Sequence, residues 1–440
     1  MEEVFLKYKD ILIKDVEKYY KDYQKIYDNL EDSPAYYHGE VIPILYQPFF
    51  FNNKEIKTFK ELTNKLTVIL NKVIDRYLSD SDFRSYFGFS KQLEELILSD
   101  PGYSSNFPMA RFDIFYFRDQ GFQFCELNAD GSSGMVKTNT LEKYFLSAKA
   151  IEELKENYKI SYCELLESWI DTLLDNYQEF NPEDKRPNIA IMDFSGYGMV
   201  AEFDYFKALI KSRGYEVKIV DPREVEYRDN KLYYGDFKID LIYRRAVTMD
   251  LMKHYDEIED LINAYLDSNV CLVGPIRSQI IHNKIIFSIL HDDEKVSFLT
   301  DNERSFIKDH IPYTAIVDPK DEDMLKYIRN NQENLVLKPM DLYGSEGVSI
   351  GRDLSKDEWS LKINKINGKS YLIQEFCQVP EREMAVFEGK KLEFEDFKYT
   401  LGLFIYNQEF QGIYTRAGKD NVIASATGCV TLPNLTIKKK

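Results

Sequence analysis

Cysteine is scarce and scattered: five residues in 440, at Cys125, Cys163, Cys271, Cys377 and Cys429, with no CxxC pair. That spacing speaks against a zinc ribbon or a disulfide framework, and free thiols in a reducing compartment are the expectation. No stretch approaches the ~18 consecutive apolar residues of a membrane-spanning helix. The opening MEEVFLKYKDILIKD is charged from its start and lacks the apolar segment of a secretory signal. Lysine and arginine form no run apart from Lys438, Lys439 and Lys440, and the formal net charge is −17. A phosphate backbone would meet self-repulsion from such a chain. Nucleic acid and membrane are therefore excluded as partners and a cytoplasmic protein is expected, with its oligomeric state open. The chain also has no internal repeat and no low-complexity segment.

What is present is ample core-forming material: 44% hydrophobic and 14% aromatic residues among 30% charged ones. At this length two or three lobes sharing an interface are expected. Apolar residues at helical spacing run through 1–30 (Phe5, Tyr8, Ile11, Leu12, Tyr19, Tyr23, Ile26). Further helices are predicted over about 58–78 and 142–177, with a strand-rich block at 109–136 between them. A polar, proline-bounded linker spans 182–187. After it NIAIMDF reads as a strand, SGYG as a loop, MVAEFDYFKALIKSRG as a helix and YEVKIVDP as a second strand, with IDLIYRR following a short hairpin. Strands and helices alternate again from 271 and end in a strand-rich stretch at 393–432.

The most informative segment is RFDIFYFRDQGFQFCELNADGSSG, residues 111–134. Strand alternation puts Arg111, Asp113, Phe115 and Phe117 on one side, and the turn around Asp119-Gln120 returns the chain. A two-residue loop at that point sets Asp113 opposite Glu126 and Arg111 opposite Asn128. A loop centred one residue on sets Asp113 opposite Asn128. Either register gathers Asp113, Glu126 and Asn128 on one face. Facing carboxylates destabilise a hairpin by up to ~1 kcal/mol unless a cation lies between them, and Asp, Glu and Asn oxygens suit Mg²⁺. The small-residue loop that follows, with Ser132 and Ser133, can offer backbone N–H groups to a substrate or phosphate oxygen.

Four other segments carry chemical potential. In NLVLKPMDLYGSEGVSIG a strand ends at Lys338, and a loop with Gly344, Ser345 and Gly347 follows; a lysine beside such a loop can pair with a phosphate. The GK[ST] of a Walker site is absent. In HNKIIF, Lys284 opens an otherwise apolar helix. In SYLIQEF, the backbone of Gln374, Glu375 and Phe376 could read an adenine edge. In GIYTRAGKDN, Arg416 and Asn421 sit in a strand–loop pair. Residues 188–221 imitate a dinucleotide fingerprint through Gly196 and Gly198 and a strand ending in Asp221. The third glycine is missing and the helix opens with bulky Met199 and Val200. A substrate-facing role for Tyr197 and its glycines is the expectation there.

Together these segments, over about 105–435, resemble the glutathionylspermidine-synthase-like family of circularly permuted ATP-grasp ligases. The resemblance implies an α/β (α+β) fold: an N-terminal helical region, a permuted ATP-grasp and a small Rossmann-like α/β lobe. It implies that Asp113, Glu126 and Asn128 hold Mg²⁺, that Arg111 and Arg416 are active-site arginines, and that Lys284 and Lys338 hold ATP. Gly344, Ser345 and Gly347 would cover the phosphates, and Gln374, Glu375 and Phe376 would form the adenine hinge. Ser132, Ser133 and Tyr197 are the candidate substrate contacts. The corresponding division is a mainly helical region (1–105), a metal-binding half (106–180), the small lobe (188–270) and an ATP-binding portion (271–440). The metal residues precede the lysines, the reverse of ordinary ATP-grasp order.

The family implies an ATP-dependent ligase that activates a carboxylate as an acyl phosphate and couples it to an amine, releasing ADP and phosphate. The partners are then small-molecule or peptide carboxylates and amines. The loop after ELNAD reads GSSG where the family is Thr/Pro-rich, so the carboxylate is left open. No cysteine precedes Cys125 to serve an N-terminal amidase. The competing readings are a phosphotransferase of the same fold and a non-catalytic nucleotide-binding scaffold.

Overall fold

Two antiparallel sheets border one cleft. The larger carries Arg111, Asp113, Glu126, Asn128 and Arg416 and the smaller Lys338, Gln374 and Glu375, while Lys284, Ser132, Ser133 and Tyr197 lie outside both. The computed structural model describes residues 1–37, 39–340, 347–366, 370–424 and 428–440. The larger sheet runs in the order Val430–Leu432, Glu409–Gly418, Lys391–Tyr406, Met109–Tyr116, Phe122–Asn128, and Glu381–Glu388 also pairs with the long strand Lys391–Tyr406. The smaller sheet runs Thr314–Ile316, Tyr371–Glu375, Leu335–Pro339, Ser349–Ile350. The expected α/β class is therefore realised with the metal-candidate hairpin in one sheet and Lys338 in the other.

The small lobe is a four-stranded parallel sheet ordered Cys271–Val273, Leu241–Arg244, Ile189–Met192, Val217–Val220. Three of its strands are short and wholly buried, as parallel strands covered on both faces must be, while the edge strand Val217–Val220 is buried only at its two valines. The helix expected after SGYG forms at Val200–Ser212 and packs Phe203, Phe206 and Ile210 inward.

The first apolar helical stretch is two helices, Glu2–Lys14 and Val16–Glu31, because Asp15 leaves helical geometry and accepts from Lys18 N–H as an N-cap. The helix expected at 58–78 begins earlier, at Asn53, and runs to Ser79. Asn52 and Glu55 form a capping box, and Phe59, Leu62, Leu66, Leu70, Val73 and Tyr77 make its buried stripe. The helix expected over 142–177 is broken into Met135–Leu146, Lys149–Lys155 and Leu166–Phe180 around a strand, Tyr158–Ser161. That strand pairs with the final strand Asn434–Lys439, which on its other side runs parallel to Phe49–Asn52. Among the described residues no helix is long and apolar enough to cross a membrane.

Candidate active site

The hairpin that holds Asp113 does not close symmetrically. Its tip is a three-residue turn, Arg118–Gln120, with Phe117 N–H donating to Gly121 O. Near the tip Ile114 pairs with Phe124. Continued unchanged, that register would set Asp113 opposite Cys125. A bulge between Asp113 and Ile114 inserts one extra residue, so that Asp113 pairs with Glu126 and Arg111 with Asn128. Cys125 and Glu126 then both border the space between the two sheets, the local redirection expected of a bulge beside a site.

Asp113 is buried and heavily engaged. Its Oδ1 accepts from Arg111 Nε at 2.8 Å, and its Oδ2 from Arg111 Nη2 at 3.2 Å, Arg416 Nη2 at 2.5 Å and Asn128 Nδ2 at 3.3 Å. Burial pulls this carboxyl upward, but Arg111 and Arg416 outweigh it and hold it below the usual carboxylate range. Both guanidiniums flank the ring of Tyr414, as does Lys137 at 5.0 Å from the ring centre. Burial alone would raise the Tyr414 phenol, yet Lys137 and Arg416 bring it below its ordinary value. The local field is thus cationic inside a chain of net charge −17, as an anionic ligand needs.

The opposite wall supplies two more cations. Lys338, near the end of Leu335–Pro339, reaches across to the Cys125 carbonyl at 3.5 Å. Lys284, just ahead of the helix Ile285–Leu290, approaches Glu126 Oε1 at 3.8 Å. The Lys284 segment is tied to the hairpin because Ala129 N–H donates to His282 Nδ1 at 3.4 Å. Between the walls lies an open cleft, about 910 Å³ counted to its mouth with the solvent there included. Its apolar side is built by Phe115, Val348, Ile350, Val379 and Ile423, with Gln374, Glu375, Phe376 and Cys377 at one edge.

The candidate hinge is partly occupied by the fold itself. Glu375 N–H donates to Tyr313 O and Phe376 N–H to Asn334 O, each at 2.8 Å, and Gln374 lies between two strands with its side chain donating to Thr314 Oγ1. Cys377 N–H, the next along, has no partner among the described residues. Gly347 has φ 73, a left-handed conformation natural to glycine. Gly344 and Ser345 lie outside the described residues.

The loop 129–134 joins the hairpin to the small lobe. Asp130 forms a fully buried pair with Arg244 and accepts from Thr248 N–H at 2.7 Å. Arg245 donates to Ser132 O and pairs with Glu202 at 3.1 Å, while Gly134 N–H donates to Glu202. A Cβ at Gly131 would stand 2.8 Å from Arg245 O, so this approach requires glycine. Ser132 is buried and its hydroxyl donates back to Asn128 O at 2.7 Å, which gives it a loop-holding position away from the open cleft. Ser133 is half-buried, and its carbonyl accepts from Arg111 at 2.9 Å. Tyr197 is 41% exposed on the small lobe, bonded to His254 and Lys253, and does not line the cleft. Sequence reasoning gave no part to Lys137, Asp130 or Arg245. The only available signal was the pair Arg244-Arg245 ending a buried strand, where two charges need partners.

Residues 14–431 match the family described as glutathionylspermidine synthase preATP-grasp. Over 213 residues the chain is 24% identical to an uncharacterised protein of Mycobacterium leprae (strain TN). That match covers 45% of this chain and 37% of the relative, so the chain spans little more than a third of the relative's length. A glutathione synthetase-like effector from Globodera pallida, in its apo form, superposes with a TM-score of 0.61 over 94% of this chain and 96% of its own, at 12% identity. D-alanyl-alanine synthetase A from Vibrio cholerae O1 aligns over 48% of this chain and 67% of its own, at TM-score 0.30 and 13% identity.

Proposed function

The chain belongs to the glutathionylspermidine synthase preATP-grasp family, and on that premise we propose that it is an ATP-dependent ligase joining a carboxylate to an amine through an acyl phosphate. The carrying observation is the cleft, which sets Asp113, Glu126 and Arg416 of one sheet against Lys284, Lys338 and Gln374 of the other side. In this reading Lys284 and Lys338 neutralise the ATP phosphates, and the apolar side receives the base. The adenine edge meets the backbone at Gln374–Cys377, where Cys377 N–H is the donor left over.

The oxygen donors fit Mg²⁺. Asp113 Oδ1 accepts a single hydrogen bond and keeps a lone pair, and Glu126, 30% exposed, has only a long ion pair with Lys284. Asn128 adds an amide beside them. Held by these three, Mg²⁺ would neutralise phosphate charge during transfer. Arg111 and Arg416 orient the acid and stabilise charge on the transferring phosphoryl group. Arg416 Nε supports this role: it is a buried donor with no partner among the described residues, beside the cleft. The substrates in this reading are small-molecule or peptide acids and amines, and the reducing, ATP-rich cytoplasm suits both cofactor and thiols.

The test is ADP release over paired acid and amine libraries, followed by ¹⁸O labelling of the active acid. One labelled oxygen per amide should appear in the phosphate. Amide formed with unlabelled phosphate would overturn the acyl-phosphate route, and ADP released with an acid and no amine product would favour the phosphotransferase.

A further inference from the structure

Val379 lines two cavities: the nucleotide cleft, and a second one behind it walled by Arg118 at the hairpin tip, Arg382 and Glu2. This second cavity is as large, about 910 Å³ to its open mouth. Both guanidiniums lie over aromatic rings: Arg382 3.7 Å from the centre of Phe5, and Arg118 5.3 Å from Phe5 and 5.2 Å from Phe49. Their side chains are only 12% and 19% exposed. Such contacts with aromatic faces, together with their burial, hold the two cations in place.

The two cations differ in how they are compensated. Arg118 pairs with Glu55, itself buried, and donates to Phe50 O. Among the described residues Arg382 pairs with Glu2 alone, and that glutamate is 68% exposed. An ion pair with so exposed a partner contributes little, whereas a charge withdrawn from water needs a firm counter-ion. Glu381, the other acid on the wall, is engaged by Lys398 at 4.0 Å. Arg118 also holds φ 56, a strained left-handed backbone for a residue with a Cβ.

We propose that this cavity is a binding site for a small oxyanion, carboxylate or phosphate, held between Arg382 and Arg118, with Glu2 as the side chain that the ligand displaces. A planar, immobilised guanidinium is the donor that binds such groups in bidentate fashion. Burial and the neighbouring Arg118 together draw the Arg382 guanidinium below its ordinary value, a repulsion that an anion relieves. The site does not depend on the ligase reading, but it bears on the cleft. Gln378, Val379 and Pro380 form its wall directly after the candidate hinge, so an anion there is positioned to alter nucleotide affinity.

Calorimetric titration of the full chain with inorganic phosphate, and separately with succinate, tests this. AMP-PNP and Mg²⁺ are kept saturating so that the cleft does not take the probe. Glu2→Gln removes the competing carboxylate and is expected to tighten binding several-fold. Arg382→Gln is expected to weaken it by roughly tenfold or more, the loss of a charge-assisted bidentate contact. The tighter of the two probes names the ligand as phosphoryl or carboxylate. Equal binding by wild type and Arg382→Gln, or none of either probe by Glu2→Gln at millimolar concentration, overturns the proposal. Should AMP-PNP fail to bind, the reading of the cleft fails, while the contrast between Glu2→Gln and Arg382→Gln without nucleotide still decides the anion site.

Discussion

Arg111 lies folded across Gly402: a Cβ at that glycine would stand 2.6 Å from Arg111 Cδ and 2.9 Å from its Nε. Gly402 pairs with Asp113 on one side and Tyr414 on the other. The missing side chain is therefore the space through which Arg111 reaches both Asp113 and the Ser133 carbonyl. Gly402→Ala is expected to push the guanidinium out of this gap, with an overpacking cost of about 1–3 kcal/mol. ADP release should fall by more than the loss of folded protein accounts for. Thermal melting and turnover on the same samples check this, and full turnover in a folded Gly402→Ala protein would show that the position of Arg111 is immaterial.

Glu126→Gln removes one anionic oxygen from a half-exposed side chain whose nearest cation, Lys284, is 3.8 Å away. Little folding free energy depends on so long a pair. The Tm should stay close to that of the wild type, while the Mg²⁺ concentration needed for half-maximal ADP release should rise by roughly tenfold, as a ligand charge is lost. A Mg²⁺ titration curve superposable on that of the wild type would remove Glu126 from the metal site.

Lys284→Met and Lys338→Met each delete a cation facing the cleft. Each is expected to weaken ATP binding by roughly 1.5–3 kcal/mol, the worth of a charge-assisted contact, as read by calorimetry. The two losses should be less than additive, since both lysines approach the bulged Cys125–Glu126 segment. ATP affinity unchanged in both variants would move the nucleotide elsewhere.

The residue set of the hairpin was legible because strand alternation puts Arg111 with Asp113 and Glu126 with Asn128, and both registers read from the turn bring the two pairs onto one face. In the structure it is the bulge that does so, since the tip register alone would turn Glu126 and Asn128 away. The bulge was not legible. Both sequence registers assumed an unbroken ladder, and the extra residue at Cys125 is set by how a three-residue tip must be reconciled with the rest of the sheet. The strand Tyr158–Ser161 was hidden for a related reason. Its segment carries helix-like spacing, and only pairing with Asn434–Lys439, at the far end of the chain, makes it a strand. Lys137 beside Tyr414 and the buried Asp130–Arg244 pair likewise arise from packing between distant segments, which local pattern does not encode. The candidate hinge shows the opposite limit: IQEF has the expected strand, but Gln374 lies inside the sheet and the Glu375 and Phe376 amides are already bonded within the protein.

Asp193 gives the small lobe a pH signature. It follows the buried strand Ile189–Met192, accepts from Phe194 N–H at 2.8 Å, and sits at the end of the parallel sheet near Arg245. Burial pushes its carboxyl up to about 6, against the pull of Arg245. In the unfolded chain the group titrates near ~3.9. Between those two values the native protein binds the proton and the unfolded chain does not, so this residue's contribution to stability falls as pH rises and levels off above about pH 6. Asp193→Asn keeps the accepting oxygen and removes the titration. The stability difference, mutant minus wild type, should therefore grow across that window in favour of the mutant and then hold constant. Its ceiling is roughly 3 kcal/mol, lowered by whatever solvent reaches the half-buried carboxyl. Carboxylates held low by arginine, Asp113 and Asp130 among them, act at lower pH and are common to both proteins, so they cancel in the difference. Urea unfolding of the two proteins from pH 4 to 8 reads it directly, and curves that stay parallel throughout would mean that Asp193 is ionised at no cost in the native lobe.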